Sequence, residues 1–267
     1  MMDQHWNNLE NLFLVAGHAV YNAADYQHPF DDESWFLQSF QKGELPFYIE
    51  HIRRGVELAN EDKKALLVFS GGQTRLEAGP KSEAQSYWMI ANHHFRWWAR
   101  TNVMLRSTTE EFARDSLENL VFGICRFREC VRRIPAIVRV VSWEFKRKRF
   151  EMHRKTIGFP GNRFMFSGVN NPVDLATAKN GEEKTAVEPF RKDRWGILLR
   201  PKDSDPKADK TTYLRSKGRE RNPFSRQHPY ASSCPEMVDL LKHMESTTTT
   251  PEPEDAPEPA FVQKVPW

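Results

Sequence analysis

The chain has 267 residues, 39 % of them hydrophobic, with 39 basic against 36 acidic side chains and a net charge of +3. That length suits one sizeable α/β domain or two small ones. So small a positive excess argues against a dedicated nucleic-acid binder, which carries a clustered basic face. The cysteines Cys125, Cys130 and Cys234 lack CxxC spacing. Neither a disulfide framework nor a zinc site is expected, and a reducing compartment fits best. Met1 to Glu10 has no apolar signal core, and no apolar run approaches the ~20 residues that span a bilayer. The expected location is cytoplasmic, with no membrane attachment.

Leu12-Phe13-Leu14-Val15-Ala16 is a continuously apolar run ending at Gly17-His18, the pattern of a strand buried on both faces. Helical spacing is read over 35–40 and again over 47–60, where Ile49, Ile52, Val56 and Ala59 share a face. A second buried strand, Ala65-Leu66-Leu67-Val68-Phe69, runs straight into Ser70-Gly71-Gly72. Ser82 is a good N-cap, and Ala84, Tyr87, Ala91, Phe95 and Trp98 trace an apolar helical stripe. Val103-Met104-Leu105 is a short strand candidate, and Leu117, Leu120, Val121, Ile124 and Phe127 form another helical face. Pro135 precedes a strand over 136–141, then a basic helix over 145–155 and a last strand over 163–166. Strand and helix alternate about five times, which predicts an α/β fold with a mostly parallel sheet and helices on both faces.

The texture changes after Gly168. Stretches 170–187 and 201–213 are polar, with little to bury. Two islands, 190–199 and 222–241, are read as segments lying on the core. The stretch 246–259, with four threonines in a row and repeated Pro-Glu, is expected to be disordered. The expected division is an α/β domain over 1–168, an irregular extension over 169–245 packing on it, and a disordered tail over 246–267.

Four polar clusters fall at expected strand ends. They are Gly17-His18; Ser70-Gly71-Gly72 with Ser82-Glu83 at the next helix start; Glu110, Arg114, Asp115, Glu118 and Asn119; and Ser142 with Lys146 and Arg149. In a doubly wound sheet all would line the carboxyl edge, where ligands bind. The Gly-Gly turn is expected to present bare amides to a ligand, and the helix start at Ser82 offers more. Singly, each has an ordinary reading: a tight turn, a helix start whose dipole favours Glu, a solvated basic face. The turn is neither a P-loop nor GxGxxG. His18, His93 and His94 lack metal-ligand spacing, so no metal site is expected. No GxSxG or Cys/His nucleophile pattern is present.

The third cluster contains two capping boxes. Thr108-x-x-Glu111 would start a helix at Thr109, and Asp115-x-x-Glu118 would start it at Ser116. The first makes Arg114 and Glu118 a surface i,i+4 pair. The second makes Glu110 to Arg114 a loop at the sheet edge, with Glu118 and Asn119 facing the crevice. Local pattern leaves both open.

Taken in order, these clusters resemble the DUF218 family, the YdcF-like and SanA-like proteins. The matching residues are Ser70, Gly71, Gly72, Ser82, Glu83, Ala84, Glu110, Arg114, Ser116, Glu118, Asn119, Ser142 and Arg149, within 12–166. The fungal, soluble branch is most similar, through Gly17 to Tyr21 and the Asn-Pro-Phe-x-Arg-x-His-Pro-Tyr element at Asn222 to Tyr230. The resemblance implies a Rossmann-like three-layer sandwich and favours the helix start at Ser116. Bacterial relatives are linked to cell-envelope processes, and S-adenosylmethionine binding has been proposed for the group. Where bacterial members carry an aromatic-His pair before the Arg, this chain has Phe145-Lys146. Lysine could replace a general acid or base histidine near pH 7 only with a strongly lowered pKa.

The expected function is binding of an anionic small molecule, a nucleotide or phosphorylated metabolite, with phosphate-ester hydrolase or transferase activity as its catalytic form. The amides of Gly71 and Gly72, the hydroxyls of Ser70, Ser82 and Ser142, and the charges of Arg114 and Arg149 would take the anion, with Gly17, His18 and Asn119 beside them. Glu83, Glu110 and Glu118 are the catalytic candidates, able to bind a ribose or amine or to hold Mg²⁺ against a phosphate. S-adenosylmethionine is the alternative cofactor, although Val15-Ala16-Gly17-His18 lacks the glycine-rich loop usual in methyltransferases. A non-catalytic scaffold, its polar C-terminal region binding a protein partner, is the third class.

Overall fold

The computed structural model describes residues 6–23, 25–93, 101–196, 228–245 and 251–267. In chain order its elements are β1 (Asn11–Ala16), β2 (Val20–Tyr21), β3 (Trp35–Phe36), α1 (Leu45–Glu61), β4 (Ala65–Ser70), α2 (Glu83–His93), β5 (Ser107–Glu110), α3 (Ser116–Val131), β6 (Ile137–Ser142), α4 (Arg147–Thr156), β7 (Phe164–Gly168), α5 (Leu175–Glu182), α6 (Glu188–Lys192), α7 (Tyr230–Ser233) and α8 (Val238–Glu245). The apolar runs that form β1 and β4 have no polar side to turn to water, so both strands lie inside the sheet. The sheet is parallel, in the order β5-β4-β1-β6-β7. A small antiparallel ribbon pairs β2 with β3.

Alternate residues of β1 and β4 face opposite layers. Leu12, Leu14, Leu66 and Val68 join the core under α3 and α4. Phe13, Val15, Leu67 and Phe69 join the core under α1 and α2. The result is a Rossmann-like three-layer α/β sandwich. The chain lays β4 and β5 on one side of β1, then crosses back to place β6 and β7 on the other. The order reverses between β1 and β6, and sheets of this kind open a crevice at the carboxyl ends of such a strand pair.

Several elements differ from expectation. The helical spacing over 35–40 is a short strand and a 3₁₀ turn at Ser39–Gln41. Trp35 pairs with Tyr21 across the ribbon, and its indole donates to the Pro29 carbonyl at 3.0 Å. Val103-Met104-Leu105 is not a strand. Met104–Arg106 is a 3₁₀ turn, pinned because the Arg106 guanidinium donates to the carbonyls of Ala59, Asp62 and Ala65. Phe95 and Trp98 lie outside the described residues.

The region after Gly168 is more regular than its composition suggested. Val187, Phe190, Trp195, Tyr230, Met237 and Leu241 enter the same core as α3 and α4. The expected disorder of the tail is corrected over 251–267. Arg194 donates to the carbonyls of Ala256 and Pro257 and to the Glu252 carboxylate, fixing the Pro-Glu stretch. Val262 and Val265 are buried, and the Trp267 indole donates to the Ile157 carbonyl at 3.0 Å. A few apolar side chains and one arginine clamp outweigh a composition typical of free tails. Residues 246–250, and the parts of the islands at 197–199 and 222–227, lie outside the described residues.

Candidate functional site

β1 runs out at Gly17-His18 and β6 at Ser142-Trp143, and a cleft of about 790 Å³ opens at these strand ends. Of the expected site residues it gathers Gly17, His18, Glu83, Arg114, Asn119, Ser142 and Arg149. Ser70, Gly71, Gly72, Ser82, Glu110 and Glu118 do not line it. They form the frame behind it.

His18 is packed by aromatic neighbours. Its ring stacks on Trp143 at 6.4 Å between centroids and meets His51 edge-on at 5.3 Å. Its Nδ1 lies 3.4 Å from Lys146 Nζ, and its Nε2 3.5 Å from Ser142 Oγ. Burial, then the Lys146 charge, hold the imidazole well below its usual range. His18 is therefore neutral near pH 7 and can accept a hydrogen bond.

Lys146 has no ion-pair partner among the described residues. Burial and the nearby Arg149 push its ammonium down to about 8, against the pull of Glu182, Glu44 and Glu83. A lysine with its pKa lowered toward neutrality is the form that proton transfer near pH 7 requires. Arg149, one turn along α4, is already paired: its Nε lies 2.9 Å from the Glu182 carboxylate.

Glu83 leans over the end of β1. A Cβ on Gly17 would stand 2.7 Å from Glu83 Cβ, and one on Gly71 would stand 2.9 Å from it. Two glycines are needed here because the carboxylate arm crosses directly over the backbone. Thr74 donates to Glu83 at 2.6 Å. Burial raises the Glu83 pKa, while Thr74, Arg75 and Lys146 oppose the rise.

The anion nest expected at Gly71-Gly72 is not formed. The Gly71 amide donates to the Glu110 carbonyl at 3.0 Å and the Gly72 amide to the Ala113 carbonyl at 2.6 Å. The first amides of α2 are taken too, Glu83 by the Gly72 carbonyl and Ala84 by the Gly71 carbonyl. The turn is a close-packed crossing in which the chain's own carbonyls occupy the donors. Ser70 Oγ donates to the Glu110 carboxylate at 2.7 Å and lies 2.8 Å from Asn119 Oδ1. Ser82 caps α2 through the Gln85 amide and donates to Glu111.

The carboxylates Glu110 and Glu118 are also structural. Glu110 is buried and accepts from Ser70, from the amides of Phe112 and Ala113, and from the Tyr230 hydroxyl. Burial lifts it to about 7 despite those donors. α3 starts at Ser116, where Asp115 accepts from the amides of Leu117 and Glu118. Glu118 does not complete the capping box on Asp115. It turns back to the Arg114 amide and guanidinium, each at 2.8 Å. The pair is therefore buried in the frame rather than on the surface, at 1 % exposure for Glu118. Glu83, Glu110 and Glu118 do not converge, and no group of three or more His, Cys, Asp or Glu is placed to hold a metal among the described residues.

The sequence reading omitted several cleft residues from the binding set. Lys146, grouped with Ser142 and Arg149 by the sequence but outside the expected binding set, lines the cleft. Trp143, immediately after Ser142, is at a strand end and was equally visible. Tyr48, Phe40 and Glu182 carry no local signal, because separate elements bring them to the cleft.

The chain is similar to the uncharacterized protein YOR238W of Saccharomyces cerevisiae, 28 % identical over 278 residues, covering 83 % of this chain and 86 % of that protein. No family model matches the chain, and no solved structure does.

Proposed function

We propose that this is a DUF218-like protein that binds an anionic small molecule in the cleft between β1 and β6. Lys146 carries the proposal. Its ammonium stands on the cleft wall beside a neutral imidazole, with no ion-pair partner among the described residues. Glu182, Glu44 and Glu83 attract this half-buried ammonium without forming an ion pair with it, which leaves a charge that an incoming anion can pair directly. Ser142 and Asn119 add hydrogen-bonding groups, and Arg149 adds a second positive charge that Glu182 already pairs. The Gly71-Gly72 amides have no part in it.

The catalytic form of this reading is hydrolysis or transfer of a phosphate ester, with Lys146 as the proton-transfer group and Glu83 as a carboxylate lining the same cleft. Cys125, Cys130 and Cys234 are free, which supports a reducing, cytoplasmic setting. Calorimetry with inorganic pyrophosphate at pH 7 tests the binding claim. Saturable binding that Lys146→Met removes supports it, and no binding by the parent protein overturns it.

A further inference from the structure

We infer that the cleft's ligand is a nucleoside phosphate, its phosphate inward at Lys146 and its base at the mouth between Phe40 and Val173. This deepens the anion-binding reading and rests on it. The first support is a pair of apolar side chains on the cleft's exposed lip, beside Lys42 and Asp174. The deep end of the cleft holds Ser142, fully buried, with His18 and Lys146. The lip holds Phe40 and Val173, exposed at 71 % and 94 %. Scattered exposed apolar residues are ordinary on a protein surface. Here the two most exposed large hydrophobic side chains among the described residues line the same cavity.

The second support is size. A cavity of about 790 Å³ falls in the range of sites that enclose an organic ligand of many atoms. A bare phosphate would leave most of it to water. A sugar phosphate carries no apolar ring to cover the two exposed side chains. A planar ring on the far side of the sugar would cover them and bury apolar area on each.

The third support is that the loop carrying Phe40 is tied to the cleft floor. Gln41, the next residue, donates to the His18 carbonyl at 2.7 Å, and Arg75 donates to Gln41. The loop that carries Phe40 at the mouth is thereby tied to the residue at the floor. The distance between ring contact and phosphate contact is set by the fold, which is how a site selects a ligand with two separated ends.

The test is calorimetry on the full chain with adenosine 5′-monophosphate, ribose 5-phosphate and inorganic pyrophosphate, on the parent and on Phe40→Ala. Phe40 is exposed, so its truncation leaves the core intact. The nucleotide should bind at least tenfold more tightly than ribose 5-phosphate. Phe40→Ala should remove most of that difference while leaving ribose 5-phosphate affinity unchanged. Equal affinity for the two phosphates, or a difference untouched by Phe40→Ala, overturns the nucleotide assignment and leaves anion binding standing. Failure of all three compounds to bind overturns both.

Discussion

The Glu182 carboxylate stands 2.9 Å from the Arg149 guanidinium, with both side chains mostly buried at 9 % and 13 % exposure. The helix that brings Glu182 there, α5, sends no apolar side chain into the core. It is held across the cleft by this pair and by its continuation, where Glu183 pairs with Lys148 at 3.2 Å. A carboxylate of the chain itself thus occupies the face of Arg149 that an anionic ligand would use. Glu182→Gln keeps the shape and removes the competing charge. It should strengthen pyrophosphate binding by about tenfold, within the usual range of coupling between sites. Calorimetry on parent and variant reads this, and an unchanged or weaker affinity would show that Glu182 does not compete.

Lys146 gives the binding a pH signature. An anion beside the ammonium favours its charged form, so its pKa rises from about 8 when the ligand binds. Binding at pH 8 should take up roughly half a proton per anion, and affinity should fall as pH rises further. Titrations in buffers of different ionisation enthalpy measure the uptake, which Lys146→Met should abolish.

The same lysine affects stability in the opposite sense to a salt bridge. Its folded pKa is lowered from 10.5. The cost of burying the ammonium is therefore present in full below about pH 8 and disappears as pH rises toward 10.5. Lys146→Met should melt higher than the parent at pH 7, and the advantage should shrink by pH 10.

Glu110 ties the β5 end to the C-terminal region through the Tyr230 hydroxyl at 3.2 Å. Its pKa is raised from 4.5 to about 7, so the folded chain holds the proton that the unfolded chain has released. Its contribution is greatest below pH 4.5 and is lost as pH climbs to about 7, a change on the order of 3 kcal/mol. Glu110→Gln mimics the protonated acid. Its stability should vary less than the parent's between pH 5 and 8, as read by denaturant unfolding.

Gly72 separates a packing role from a ligand role. A Cβ there would stand 2.6 Å from the Ala113 carbonyl oxygen. Gly72→Ala should lower stability by about 1–3 kcal/mol, the usual cost of overpacking. The molecules that remain folded should bind pyrophosphate with parental affinity. A selective loss of binding would restore the amide nest.

Much of the frame was legible in the chain. β1 and β4 announce themselves because a strand covered on both faces is apolar throughout, β6 does so with one interruption at Arg139, and His18 and Ser142 follow from where such strands stop. The capping choice at Ser116 was ambiguous locally, and the structure resolves it through the Asp115 cap. What was not legible depends on partners distant in sequence. Nothing near Gly72 says that the Ala113 carbonyl will take its amide. Nothing in the polar α5 says that Glu182 will be drawn to Arg149, since a charge pair leaves no hydrophobic period. The tail misled because composition counts apolar residues but cannot show Arg194 waiting for Glu252.

Anion binding through Lys146 is tested most directly by titrating pyrophosphate into the parent and Lys146→Met proteins at pH 7. The parent should bind at one site, and the variant, which is expected to be at least as stable, should show binding weakened at least tenfold. Equal binding by the two proteins, or none by the parent, would contradict it.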